Sequence, residues 1–261
     1  MGFLKLFLIV ALVFFLLSET ASQQKSKIKT TSRKVPKYSI SFMGGFGYVL
    51  GSANGDGRGF TSQYNLPGGN LFISDNLGMQ QGYGIMTVGK VAIDKKKKTR
   101  ITGTLGYNLF YNSEDRGRNR TKWHIFNLGA GVEYHFTPKQ RQRLFVGYEL
   151  DYTLTFGAWQ SDILYPDGYL SNIYTKFSPA SRLGMAATAG MEFRLSRKMD
   201  LIVEIRGVWA NLFPRNNSYT SQPYDTYIND SKSNSGIELM SRKDIIYMQV
   251  VTGITLPLKY K

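Results

Sequence analysis

Along residues 144–158 an oily side chain stands at every second position. Leu144, Val146, Tyr148, Leu150, Tyr152, Leu154 and Phe156 alternate there with Glu149, Asp151, Thr153 and Thr155. Side chains change faces with a period of two on a strand and of 3.6 on a helix, so this pattern makes one oily and one polar face only when extended. Seven more segments repeat it, at 38–50, 81–93, 99–111, 122–136, 182–195, 200–213 and 244–260. In the first, Tyr38, Ile40, Phe42, Phe46, Tyr48 and Leu50 oppose Ser39, Ser41, Gly45 and Gly47. The spacing thus predicts eight strands, and an even number is what a single-chain membrane barrel of bacteria uses.

The connections alternate as well. Those at 94–98, 137–143 and 196–199 are short, whereas 51–79, 112–121, 159–180 and 214–242 are long and rich in Gly, Asn, Ser, Asp and Tyr. Transmembrane barrels sort their connections this way, with tight turns on the periplasmic rim and long loops outside. A soluble meander has no reason to.

Alternation alone leaves the sense of the faces open. A soluble sandwich or lipocalin-like barrel turns its oily face inward; a membrane barrel turns it to lipid and its polar face to the bore. The oily face here ends in aromatics, such as Tyr107 and Tyr111, Tyr134 and Phe136, Trp209 and Phe213, which suits interfacial girdles. The opposite face mixes charge with small residues, such as Gly184, Ala186, Thr188 and Gly190, which suits a narrow bore that side chains must fill. We expect an all-β fold, an eight-stranded antiparallel up-and-down transmembrane β-barrel over 38–261.

Ahead of it, Lys5, the apolar run Leu6 to Leu17 and the small or polar residues 18–23 have the order of a cleaved secretory signal peptide, taken as 1–22. The run is too short to span a bilayer as a helix, which needs roughly 20 residues. Residues 23–37 are basic and aperiodic and read as a disordered leader. With no cysteine in the chain, disulfides supply none of its stability.

Motifs such as Val-Gly-Tyr-Glu at 146–149 and Val-Glu-Ile-Arg at 203–206, with the terminal strand ending at Tyr260, resemble the outer-membrane β-barrel domain family of Gram-negative bacteria, which includes the OmpA barrel and OmpX. The resemblance covers nearly all of the mature chain. It implies an integral outer-membrane protein, inserted by the barrel-assembly machinery and acting as a structural or surface-interaction barrel. The chain departs from the family in ending on Lys261 rather than an aromatic, and it is expected to stop at the barrel without a peptidoglycan-binding domain.

The net charge of +15 invites a nucleic-acid reading. Its placement argues otherwise. The leader, the short turns and the C-terminus, from Lys25 through Lys95–Lys98, Arg141 and Arg143 to Lys261, hold seventeen bases against Asp94 and Asp200, which accounts for the whole surplus. A collar of that kind suits anionic phospholipid head groups, whereas a nucleic-acid groove interleaves aromatics with its bases. On the inward face, Lys90, Arg100, Glu133, Glu149, Asp151, Arg182, Glu192, Arg194, Glu204 and Arg206 balance five bases with five acids. Buried charges must pair, so they are expected to form a network that plugs the bore. A small ion-conducting pore is the alternative.

Catalytic chemistry is not indicated. Only His124 and His135 offer imidazoles. Parity turns the first to lipid and sets the second inward beside Glu133, and no spacing specifies a nucleophile for either. Two histidines without cysteine also make a poor zinc set. The expectation is a monomer with no metal, no cofactor and no enzymatic activity; a lipid A-modifying barrel enzyme is the remaining alternative. Recognition of an extracellular ligand would then fall to the long loops, where Tyr64, Phe72, Arg116, Arg118, Trp159, Tyr165, Tyr169 and Tyr224 are the candidate contacts.

Overall fold

In hydrocarbon no water satisfies a free strand edge, so strands can cross a membrane only as a closed ring. The structure is a computed structural model that describes residues 35–55, 61–63, 71–73, 76–112, 119–164, 170–196, 198–214, 225–226, 228 and 243–259. Its barrel strands are β1 (Tyr38–Val49), β2 (Gln81–Ala92), β3 (Thr99–Tyr111), β4 (Asn119–His135), β5 (Gln142–Leu164), β6 (Leu170–Arg194), β7 (Asp200–Phe213) and β8 (Ile246–Lys259). Each pairs antiparallel with its neighbours in sequence. β8 returns to β1, with Phe42 opposite Ile254. That pairing closes the ring of the eight strands. Across the seam the Ser41 and Thr255 hydroxyls share a buried hydrogen bond of 2.7 Å.

The faces settle the sense of the barrel. Leu150 is 63% exposed on the outside, and the adjacent Glu149 is 4% exposed in the bore. Among the described residues, twenty-seven large hydrophobic side chains are exposed in this way. In water, each would forgo on the order of 1 kcal/mol of burial, a total beyond the ~5–15 kcal/mol net stability of an ordinary domain. Lipid removes that cost. The soluble lipocalin-like alternative is therefore set aside.

Two boundaries differ from the sequence reading. The connection expected at 159–180 is mostly strand, because β5 runs to Leu164 and β6 starts at Leu170. A bulge between Thr155 and Gly157 shifts the β5–β6 register there. Below it Arg182 faces the bore, and above it Thr175 and Phe177 do, so the parity changes and the two-residue pattern breaks off in the sequence. Crossing a band about 25 Å tall at a tilt near 40° takes about 10 residues. A hairpin of 23 and 25 residues therefore reaches well past the membrane.

The second difference lies in the leader. Val35 and Pro36 are buried, Ala92 N donates to Lys37 O at 2.8 Å, and Lys97 Nζ donates to Val35 O at 2.5 Å. The last three residues of that segment are thus docked on the short-turn rim; 1–34, including the expected signal peptide, lie outside the described residues. On the same rim, Thr99 N donates to Asp94 Oδ1 at 2.8 Å. Slight burial raises the Asp94 carboxyl, but backbone N–H donors of this turn outweigh it and hold the group below its usual range.

Candidate functional site

The bore is the site that the strands build, and it is layered. Nearest the short turns, Lys90 Nζ on β2 lies 2.7 Å from Glu133 Oε2 on β4 and 3.1 Å from Glu192 Oε1 on β6. Arg143 on β5 reaches Glu192 at 2.8 Å and also pairs with Asp200 on β7. Arg194 Nε meets the same aspartate at 3.2 Å, and Arg100 Nη1 stands 3.8 Å from Glu192. His135 Nε2 is bonded to Glu133, and the Lys90 ammonium sits 4.6 Å over the Phe145 ring.

A second ion cluster lies higher. Arg206 Nη2 on β7 is 2.5 Å from Glu149 Oε2 and 3.4 Å from Asp151 Oδ2, while Nη1 is 4.0 Å from Glu204. Thr102 and Thr104 on β3 donate to the other Glu149 oxygen at 3.1 and 2.8 Å. Across the two clusters, charge-assisted bonds lock β2 to β7 to one another. A void of about 10 Å³ beside Glu149, Glu204, Arg206 and Thr188 has room for a single water.

Above the ions come amides and then rings. Gln249 Nε2 donates to Asn108 Oδ1 at 2.7 Å, and Asn108 Nδ2 donates to Asn127 Oδ1 at 2.9 Å and to Tyr247 Oη at 3.3 Å. Tyr247 packs on Phe110 at 4.8 Å, and Trp123 packs on Phe177 at 4.5 Å. Described residues of two connecting segments pack on these rings. Trp123 Nε1 donates to Leu77 O at 2.6 Å, and Ala53, Leu77, Met79 and Ile228 are buried in the same cluster. Arg182 lies under this stopper, with Nη1 bonded to Ser181 O at 2.9 Å and Nη2 3.5 Å from Ile228 O.

The ten ions expected in the bore therefore divide. Nine enter one or the other cluster, and Arg182 bonds the Ser181 and Ile228 carbonyls. Arg143 and Asp200, expected in the rim collar, are buried in the bore. Parity is the signal that places them, since each is one alternation step beyond inward residues, Phe145 and Ile202. The stopper escapes the sequence for a different reason. Phe110, Trp123 and Phe177 are oily residues on the inward face, and a rule that oily means outward misassigns them.

Trp159, expected as a loop contact, is corrected by the structure. It lies on β5 inside the barrel at 1% exposure, because the strand continues past the bulge and the odd positions face inward. Phe72 lies on a three-residue strand, Leu71–Ile73, paired with Thr61–Gln63; its side chain, and Tyr64, Arg116, Arg118, Tyr165, Tyr169 and Tyr224, lie outside the described residues.

Glu133, His135 and Glu192 bring potential metal-ligand atoms within 4.8 Å of one another. Lys90 bridges both carboxylates and Arg143 holds Glu192, so a divalent ion would have to displace an ammonium. The arrangement fits ion pairing better than metal binding. His124 faces outward, stacked on Phe156 at 4.9 Å with Nδ1 2.7 Å from Tyr107 Oη.

No known protein family and no curated protein matches the chain. Among solved structures, Neisserial surface protein A aligns with 87% of this chain and all of its own at 11% identity, with a TM-score of 0.44. OprG from Pseudomonas aeruginosa aligns with 86% of this chain and 97% of its own at 11% identity and 0.42. For Ail of Yersinia pestis the shares are 84% and 99%, at 9% identity and 0.39. Resemblances this distant carry no weight for function, and the assignment rests on the barrel itself. Closed, antiparallel, oily towards lipid and ionic within, the chain is an eight-stranded β-barrel of the outer-membrane type.

Proposed function

We propose that the protein is a closed, non-conducting outer-membrane scaffold whose work is structural or adhesive and is done by its surface-facing segments. One observation carries this reading: buried ion pairs and rings succeed one another along the described bore, from the Lys90 cluster through the Arg206 cluster to Trp123. A pore needs a connected aqueous path, and ion pairs that span the bore from β2 to β7 argue against one. The histidines support no catalytic role, one being tied to Glu133 inside and the other to Tyr107 on the lipid side. The lysines of the short-turn rim, Lys95 and Lys96 among them exposed, suit phospholipid head groups of the periplasmic leaflet. The barrel acts as a monomer, inserted by the assembly machinery, and takes an extracellular ligand on its long connections.

Planar-bilayer recording tests the closed bore. The wild-type barrel is expected to show no sustained conductance, and Glu149→Gln or Arg206→Gln none either, because the stopper above them is untouched. A steady single-channel current that changes with either substitution would make the protein a pore.

A further inference from the structure

The outward face of β3 to β6 carries a separate charge pattern near its long-loop end. Arg120 and Lys122 on β4 and Lys176 on β6 are exposed there. In register, Tyr111 of β3 stands next to Lys122, Lys122 next to Ala158 of β5, and Ala158 next to Lys176. Arg120, Gln160 and Tyr174 make the row one pleat above. One pleat below and beyond lie rings: His124 stacks on Phe156 at 4.9 Å, and Tyr107 contacts Phe126 at 4.8 Å.

Geometry gives the depth of these rows. Tyr134, with the Lys98 ammonium 5.9 Å over its ring, marks the periplasmic boundary on β4. An apolar band about 25 Å tall, crossed at a tilt near 40°, takes about 10 residues. Counting that many back along β4 reaches His124, so Lys122 is the first outward residue past the hydrocarbon and Arg120 the next. Both lie at head-group level of the external leaflet.

The patch also has a shape. Neighbouring strands are about 4.8 Å apart, which sets Lys122 and Lys176 roughly 10 Å apart with only the Ala158 methyl between them. Two ammonium groups on flexible stems flank a shallow notch. None of the outward side chains with described placement on β3 to β6 is acidic; Glu133, Glu149, Asp151 and Glu192 face the bore. On the far side, Asp225 of the short strand Asp225–Thr226 pairs in register with Lys176.

The geometry points to a binding patch for the phosphorylated glycolipid of the external leaflet. A phosphate sits between Lys122 and Lys176, Arg120 and Gln160 meet the sugar above it, and acyl chains lie along Tyr107, Phe126 and Phe156. Charge complementarity selects an anion, and the aromatic row immediately below selects one that carries chains. The inference needs only the direction of the barrel in the membrane and stands whether or not the bore is closed.

The test is a titration of the refolded full-length barrel in neutral detergent with fluorescent lipopolysaccharide, followed by anisotropy. The Arg120→Gln/Lys122→Gln/Lys176→Gln variant is expected to bind about 30-fold more weakly, as the loss of two to three bases at a charged surface implies. Lys95→Gln/Lys96→Gln, altered only at the opposite rim, keeps wild-type affinity. Dephosphorylated lipopolysaccharide binds the wild type as weakly as the triple variant does. Equal binding by wild type and triple variant overturns the patch. Competition by phosphatidylglycerol as effective as that of unlabelled lipopolysaccharide overturns the glycolipid assignment. Should the triple variant not give a compact band on unheated gels, Lys122→Glu alone is measured in its place. The same loss is expected of it, and undiminished binding overturns the patch.

Discussion

Arg206→Leu is expected to lower the stability of the folded barrel by about 3–5 kcal/mol, the usual cost of stripping one partner from a buried ion pair. The guanidinium is the cation shared by Glu149, Asp151 and Glu204, at 2.5, 3.4 and 4.0 Å. Its removal strips the shared cation from these three buried carboxylates, of which Glu149 and Glu204 line the small void. The hydroxyls of Thr102 and Thr104 donate to Glu149 but carry no charge. The measurement is the urea midpoint of the barrel in lipid vesicles, read by gel mobility without heating. Adding Glu149→Gln to the variant should recover part of the loss, because it removes one of the stranded charges. A cost below about 1 kcal/mol, typical of solvated pairs, would mean that water reaches the cluster and that the bore is open.

Gly253→Val is expected to stop the ring from closing. At the β1–β8 seam a Cβ on Gly253 would run into Phe42 O and lie 2.7 Å from Met43 Cα, and one on Gly45 would run into Val250 O. These neighbours are backbone and belong to the one pairing that joins the first strand to the last. Overpacking of that kind typically costs about 1–3 kcal/mol, and here it also frees strand edges in hydrocarbon. Refolding into vesicles should therefore leave mostly the slow, unfolded band. Gly103→Val is the matched control, since nothing lies within 4 Å of its Cβ position; it should fold like the wild type. Equal folding of both variants would show that the close approach at the seam is unimportant.

Much of this architecture is legible in the sequence because lipid enforces parity. A position facing hydrocarbon cannot hold an ion cheaply, so Leu150 and Glu149, or Val203 and Glu204, declare their sides at once. Parity is less informative where the barrel leaves the membrane. Near the long loops both faces can be oily, and Trp123, Phe110 and Trp159 fill the bore in place of charges. The bulge, whose extra residue lies on β6 between Phe177 and Ala180, shifts that strand's pattern by one residue and hides its upper third. At the other rim, Arg143 and Asp200 read as turn residues because each is a charged side chain directly beside a short connection. The outward lysines at 122 and 176 are invisible for a simpler reason. Only the strand register shows that they flank one alanine.

The central claim is that Leu150 faces lipid while Glu149 faces an ion-paired interior. The chain has no cysteine, so a single Leu150→Cys substitution gives one spin-label site in a reconstituted barrel. The label should collide freely with oxygen, which concentrates in hydrocarbon, and be shielded from a water-soluble nickel chelate. Free access of the chelate to position 150, with oxygen collisions no higher than for a label on the Lys95 turn, would contradict that claim.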